Sequence, residues 1–406
     1  MIIELVLFAT TALFASPFLC AVPIGMANLG VFSVKQQPAS FNAKIVTGNE
    51  LVIHHEDRPL AIVKHKHVLV VFIHGTLFPV PSLSAMQEWA GDRFKKDAHN
   101  MSYLDLLRDK SIFRHQPIGP IGLHPVVPAL STAASGAQLI SWFFQEMYQL
   151  LPKDEFALVH PFTFGWDGSL SLSRRKEQAK ALLESLRKAY TALQYEYPFE
   201  DIEIVIEAHS HGGNLALHMA DWIRENQKFK IDHLFIFGTP IHGDTQHLPA
   251  SPLFKNVYNF HSEGDFIQIA DIVSTNKYMP ARVFADKLVL GSVNVKQVVI
   301  EVGNYSPNHS ELWFFRRPSV LFFRAGLPIA PLPVAAFAPL FLYELKKTKN
   351  SEHFLKLFLE PVAASMRVCL VPFQDYWNDT LMQLHQYENH FDFSQIRKQL
   401  PLIQNE

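Results

Sequence analysis

The chain has 406 residues, of which 48% are apolar and 18% charged, with 33 Phe. It can therefore bury a large core, and disorder is excluded as its main state. A formal net charge of −2 without a long basic block leaves no electrostatic footprint for nucleic acid, and Cys20 and Cys369 alone supply neither a disulfide framework nor a cysteine-held zinc.

Residues 5–32 carry no charged side chain. Segment 1–32 is expected to be a signal, a membrane anchor or an apolar arm packed on the domain, although Pro17, Pro23, Gly25 and Gly30 interrupt any helix there. The export or membrane alternatives stand beside a cytoplasmic one. Residues 68–73 form a continuous β-branched and apolar run ending at His74-Gly75, the pattern of a buried strand entering a tight loop. About eighty residues then separate Thr76 from the next strand, too many for a simple crossover, so an inserted cap is expected over about 77–155.

A strand follows at 156–164 and a helix at 170–195, with Ala179, Leu182, Leu183, Leu186, Tyr190 and Leu193 on its apolar face. Arg174, Arg175, Lys176, Lys180 and Lys188 fall mostly off that face. Residues 202–206 read as a strand meeting a helix near His211, and 234–237, 257–260 and 298–302 as later strands, each ending in a polar loop. This alternation predicts an α/β fold with a mostly parallel central sheet flanked by helices, whose site lies at the carboxyl ends of the strands. Beyond it, 316–406 is expected to be a mainly helical extension. Its apolar, proline-rich stretch 325–343 lies between Arg316, Arg317 and Arg324 on one side and Lys346, Lys347 and Lys349 on the other. That arrangement suits an anionic membrane surface or a buried element, and its prolines argue against a straight spanning helix.

The most informative stretch is Ile-Val-Ile-Glu-Ala-His-Ser-His-Gly-Gly-Asn from Ile204 to Asn214. A strand runs directly into a helix with Ser210 at the turn and small residues, Ala208 and Gly212, two positions to either side. A nucleophile elbow needs such spacing, because the serine is strained and bulky neighbours would clash with sheet and helix. The amide of His211 would lie at the helix N-terminus, where the dipole favours an anion.

With its His74-Gly75-Thr76 loop and the segment from Phe237 to Gly243, the chain resembles an α/β-hydrolase of the lipase/esterase kind over roughly 45–315. The resemblance implies an oxyanion hole built from the backbone N–H groups of Thr76 and His211, and a serine, acid, histidine order for the triad. Asp265 is the expected acid, with Glu263, Asp271 and Asp244 nearby, and His309 the expected base, ahead of His242, His247 and His261. Leu77 and Trp166 are the candidate substrate contacts, with packing beneath the cap the stronger expectation for Trp166, and Asp167 is expected to form a turn.

No cofactor is required, and the histidines at 54, 55, 65 and 67 lack carboxylate or cysteine partners at ligand spacing, so no metal is expected. The sequons at Asn100, Asn304, Asn308 and Asn378 are expected to be accidental, since a glycan on Asn308 would crowd His309. The expected reaction is hydrolysis of a carboxylic ester, lipid-like rather than small and polar, with a membrane surface as a further partner. An acyltransferase or thioesterase on the same fold and a non-catalytic binding protein are the alternatives. The sequence assigns no oligomeric state.

Overall fold

The computed structural model describes residues 66–76, 121–126, 135–152, 157–198, 200–223, 229–270, 280–290, 294–314, 328–329, 332–362, 365–373 and 389–392. Their strands are β1 (Lys66–Ile73), β2 (Gly122–Pro125), β3 (Ala157–Gly165), β4 (Asp201–His209), β5 (His233–Phe237), β6 (Val257–His261), β7 (Val295–Val302), β8 (Phe354–Val362), β9 (Ser365–Pro372) and β10 (Asn389–Asp392). They form one sheet in the order β10-β9-β8-β7-β6-β5-β4-β1-β3-β2. Every pairing from β3 across to β8 is parallel. The β2–β3, β8–β9 and β9–β10 pairs are antiparallel. With helices on both faces, this is the mostly parallel α/β architecture that the alternating pattern predicts, and it agrees with the α/β-hydrolase fold that the resemblance implies.

The two faces explain the unbroken apolar run of β1. Val68, Val70 and Phe72 join one core with helix α1 (Ser135–Gln149), which contributes Ile140, Phe143, Phe144 and Met147. Leu69, Val71 and Ile73 join the other with helix α2 (Leu172–Glu196), which contributes Ala179, Leu182, Leu183, Leu186 and Leu193. A strand buried on both faces has no polar side to show, so its sequence does not alternate. Helix α3 (His211–Leu217) follows β4, and the short helices α4 (Ile267–Ala270) and α5 (Asp286–Leu290) lie between β6 and β7. Helix α6 (Ala338–Lys347) follows a 3₁₀ turn at Val334–Phe337.

Three expectations change here. The described parts of the stretch expected as a cap belong to the sheet and its cover: β2 extends the edge beside β3, and α1 packs on β1. The C-terminal region is not mainly helical among the described residues, because it supplies three strands. Leu355, Leu357 and Leu359 on β8 and Met366, Val368 and Leu370 on β9 join the core, and Lys356, Cys369 and Val371 beside them are buried as well. The apolar stretch 325–343 is core rather than membrane wedge where it is described: Val334 to Leu342 are all buried. Pro339 sits in the first turn of α6, where its missing N–H has no intrahelical partner to lose. No helix among the described residues is long and apolar enough to cross a membrane. Segment 1–32 and Leu77 lie outside the described residues.

Candidate functional site

The strand register gathers the carboxyl ends of three neighbours. Ile73 of β1 stands beside Ala208 of β4, and His209 of β4 beside Phe237 of β5. The residues that follow, His74, Ser210 and Gly238, therefore leave the sheet in one row, at the edge where parallel sheets place their sites.

Ser210 is the junction between β4 and α3, with φ 53° and ψ −131°, and among the described residues no other non-glycine has positive φ. Its N–H donates to the Phe237 carbonyl at 2.9 Å, and its own carbonyl accepts from Gly213 N–H at 2.9 Å. These two bonds hold a backbone conformation that a side chain disfavours, so the sharp turn persists and the hydroxyl is thrown outward from the strand line. Small neighbours are obligatory. A Cβ at Gly212 would run into the His74 carbonyl, one at Gly213 into the Thr239 side chain, and one at Gly75 would stand 2.8 Å from Ser210 Cβ.

Asp265 ends the loop after β6 and is fully buried. Its Oδ2 accepts from His309 Nδ1 at 2.8 Å, and its Oδ1 accepts from the Gln268 N–H at 3.0 Å in the first turn of α4. Arg282 donates to the Asp265 carbonyl through Nη2 at 3.0 Å and Nε at 3.3 Å. Because a carboxylate accepts at Nδ1, His309 carries its proton there and leaves Nε2 as the basic nitrogen. His309 sits in a turn after β7 built by Asn308, whose Oδ1 accepts from the N–H groups of Ser310 and Glu311, while Glu311 Oε2 accepts from Asn308 N–H. Asn308 thus caps a turn. The structure brings Asp265 and His309 together directly. No hydrogen bond joins the Ser210 hydroxyl to His309 among the described residues; the link between them runs through His209, whose Nε2 donates to the His309 carbonyl at 3.0 Å.

His209 is buried, and that burial, with the His309 ring 4.5 Å away, holds its imidazole well below the ordinary histidine range. It stays neutral, which suits a ring stacked on Trp313. On the other side of Ser210, Trp166 supports the His74-Gly75 loop. Its indole N–H donates to the His74 carbonyl at 2.8 Å and its backbone N–H to His74 Nε2 at 3.4 Å. Trp166 is fully buried beneath the loop, in the packing role that is the stronger expectation for it. Thr76 directly follows that loop, and Asp167 shapes the turn before α2, with Oδ1 accepting from Ser169 N–H and Oδ2 paired with Arg174. No cluster of three or more His, Cys, Asp or Glu suited to a metal occurs among the described residues.

Three participants escape the sequence reading: Gln268 and Arg282, which fasten Asp265, and Arg175, which is buried against His211. For Arg175 a signal exists, since it precedes Ala179 by four residues and so continues the apolar stripe of α2. Asp265 and Gln268 stand three residues apart, the spacing of a helix cap, which is a signal in the sequence; Arg282 reaches Asp265 across loops, which no local spacing announces.

The chain matches the family described as lipase (class 3) over residues 137–273, a stretch that holds Ser210 and Asp265 and ends before His309. No curated protein matches it. Among solved structures, the product of the gene lin2722 from Listeria innocua is similar at 10% identity over 79% of this chain and 92% of that one, with a TM-score of 0.23. A likeness so remote carries no weight for fold or function.

Proposed function

We propose that this chain, which matches the lipase (class 3) family over residues 137–273, is a lipase-like α/β-hydrolase that cleaves carboxylic esters through Ser210, His309 and Asp265. The observation that carries the reading is the 2.8 Å bond from His309 Nδ1 to a fully buried Asp265, which fixes the tautomer a general base needs. In the proposed reaction His309 Nε2 takes the Ser210 proton as Oγ adds to the ester carbonyl. The backbone N–H groups of Thr76 and His211 hold the resulting oxyanion, and collapse expels the alcohol, which leaves with the proton from His309. Water then adds to the acyl-enzyme with His309 again as base, releasing the acid and restoring Ser210. The missing Ser210–His309 hydrogen bond is consistent with this scheme, because such contacts often tighten only around substrate.

Lipid-like esters remain the proposed substrates on the strength of the family and the apolar, Phe-rich composition. The stretch 325–343 gives that preference no support, since its described part is core. A membrane association through 1–32 is a separate part of the proposal, read by fractionation of the expressed protein and N-terminal sequencing.

A fluorophosphonate probe is expected to label the wild-type chain and to leave Ser210→Ala unlabelled. An unlabelled wild type sinks the serine mechanism. Rates on esters of increasing acyl length, with and without a lipid interface, test the substrate class. Faster turnover of short soluble esters would reassign the protein as an ordinary esterase, and product carrying an added alcohol in place of free acid would mark an acyltransferase.

A further inference from the structure

Arg175 lies in the first turn of α2 and is almost completely buried, with 1% of its surface exposed. Its Nη1 stands 2.6 Å from His211 Nδ1. A guanidinium can only donate, so His211 Nδ1 is the acceptor and the ring proton resides on Nε2. Asn214 Nδ2 approaches the same Nδ1 at 3.3 Å and donates to the Pro240 carbonyl at 3.0 Å. The His242 ring stacks on His211 at 5.6 Å, with planes 9° apart. Residue 211 is therefore held at once from α2, from its own helix and from the loop after β5. It is also the residue directly after the strained Ser210, so rotation of its peptide redirects the N–H that faces the developing oxyanion.

We propose that Arg175 is a positioning residue for the oxyanion hole, acting through the His211 side chain; this rests on the reading of Ser210 as the nucleophile. A histidine at the first position of a helix has several rotamers open to it, and the planar fork of a buried guanidinium selects one. The same positive charge lies one residue from the point where negative charge accumulates, in a site largely closed to water, where a fixed charge acts more strongly than in bulk solvent. Because the oxyanion exists only in the transition state, the effect belongs to kcat and not to substrate binding.

The test uses the full chain and a chromogenic ester. Arg175→Ala is expected to lower kcat by about 10- to 100-fold while KM stays within about twofold. Guanidinium chloride, added at concentrations too low to unfold the protein, is expected to restore part of the lost kcat by occupying the vacated space; a merely structural arginine gives no such rescue. An Arg175→Ala protein with wild-type kcat, a loss confined to KM, or the absence of rescue overturns the proposal. If Arg175→Ala does not fold, the neutral Arg175→Gln, with a smaller change in volume, is read by the same loss of kcat, and an unchanged kcat overturns the idea. Fluorophosphonate labelling separates the two readings: a wild type that does not label overturns the nucleophile and this proposal together, whereas a labelled wild type with an indifferent Arg175 overturns this proposal alone.

Discussion

At the scale of single residues, one side chain on β4 and one directly after it occupy sites that cost stability. Ser210 accepts a backbone conformation worth on the order of 1–3 kcal/mol of strain, held in place by its bonds to Phe237 and Gly213. Glu207 is fully buried, with neither carboxylate oxygen hydrogen-bonded, on a strand whose register places Phe72 and Phe235 to either side. Burial pushes its carboxyl well above the ordinary carboxylate range, so the folded chain keeps a proton that the unfolded chain releases. The sign follows from that difference. The stability attached to this proton is complete below the ordinary glutamate range and falls as pH rises toward the elevated folded value. Glu207→Gln, which is neutral at every pH, is expected to be more stable than wild type at pH 8 and to lose that advantage near pH 4. Each tenfold difference in proton affinity between folded and unfolded chains is worth about 1.4 kcal/mol. Urea denaturation across that range checks it, and parallel curves for the two proteins would contradict it. The elbow serine was legible in the sequence because small residues and a strand-to-helix switch must surround it. The buried Arg175 was hidden by its charge, although its spacing from Ala179 placed it on the buried stripe.

At the scale of elements, the glycines after Ser210 decide how α3 sits. Gly213 faces the Thr239 side chain closely enough that any Cβ collides with it. Gly213→Ala is expected to cost about 1–3 kcal/mol through overpacking. In a Thr239→Gly background the same change should cost much less, and equal penalties in the two backgrounds, measured by a double-mutant cycle, would show that the contact is not the cause. The central strands were readable because burial on both faces leaves long β-branched runs such as 68–73. The C-terminal strands were missed for a physical reason. Positively charged residues and prolines around 325–349 point to a surface role, while the alternating Leu355, Leu357 and Leu359 and the short apolar run 368–371 are weaker strand signals. Likewise α1 fell in a stretch too long for a crossover, and only its packing on Val68, Val70 and Phe72 shows that it covers the sheet.

At the scale of the molecule, the sheet is completed by the C-terminal region. Strand β8 pairs in parallel with β7 from Gln297–Phe354 to Val302–Leu359, and Leu355, Leu357 and Leu359 enter the core that also holds α6 and β7. Ending the chain after Thr348 would strip β7 of its partner β8, leaving only β6 beside it, and uncover that core while keeping Ser210, Asp265 and His309 in sequence. Such a protein is expected to aggregate and to lose fluorophosphonate labelling, because β7 leads directly into the His309 turn. Size-exclusion chromatography with labelling checks this, and a monomeric, labelled product would make the last strands dispensable.

The strand order has a consequence for synthesis on the ribosome. From β4 onward, chain order and spatial order coincide: β5, β6, β7, β8, β9 and β10 each pair with the strand made just before. Each newly emerged strand can therefore dock on an edge already waiting for it and cover that edge in turn, so from β4 onward the sheet grows at one margin. The proposed acid, the proposed base and the strand beside the base arrive in that same sequence, with Asp265 after β6, His309 after β7 and then β8. On the proposed reading, Ser210, Asp265 and His309 can be held in place only after β8 has emerged.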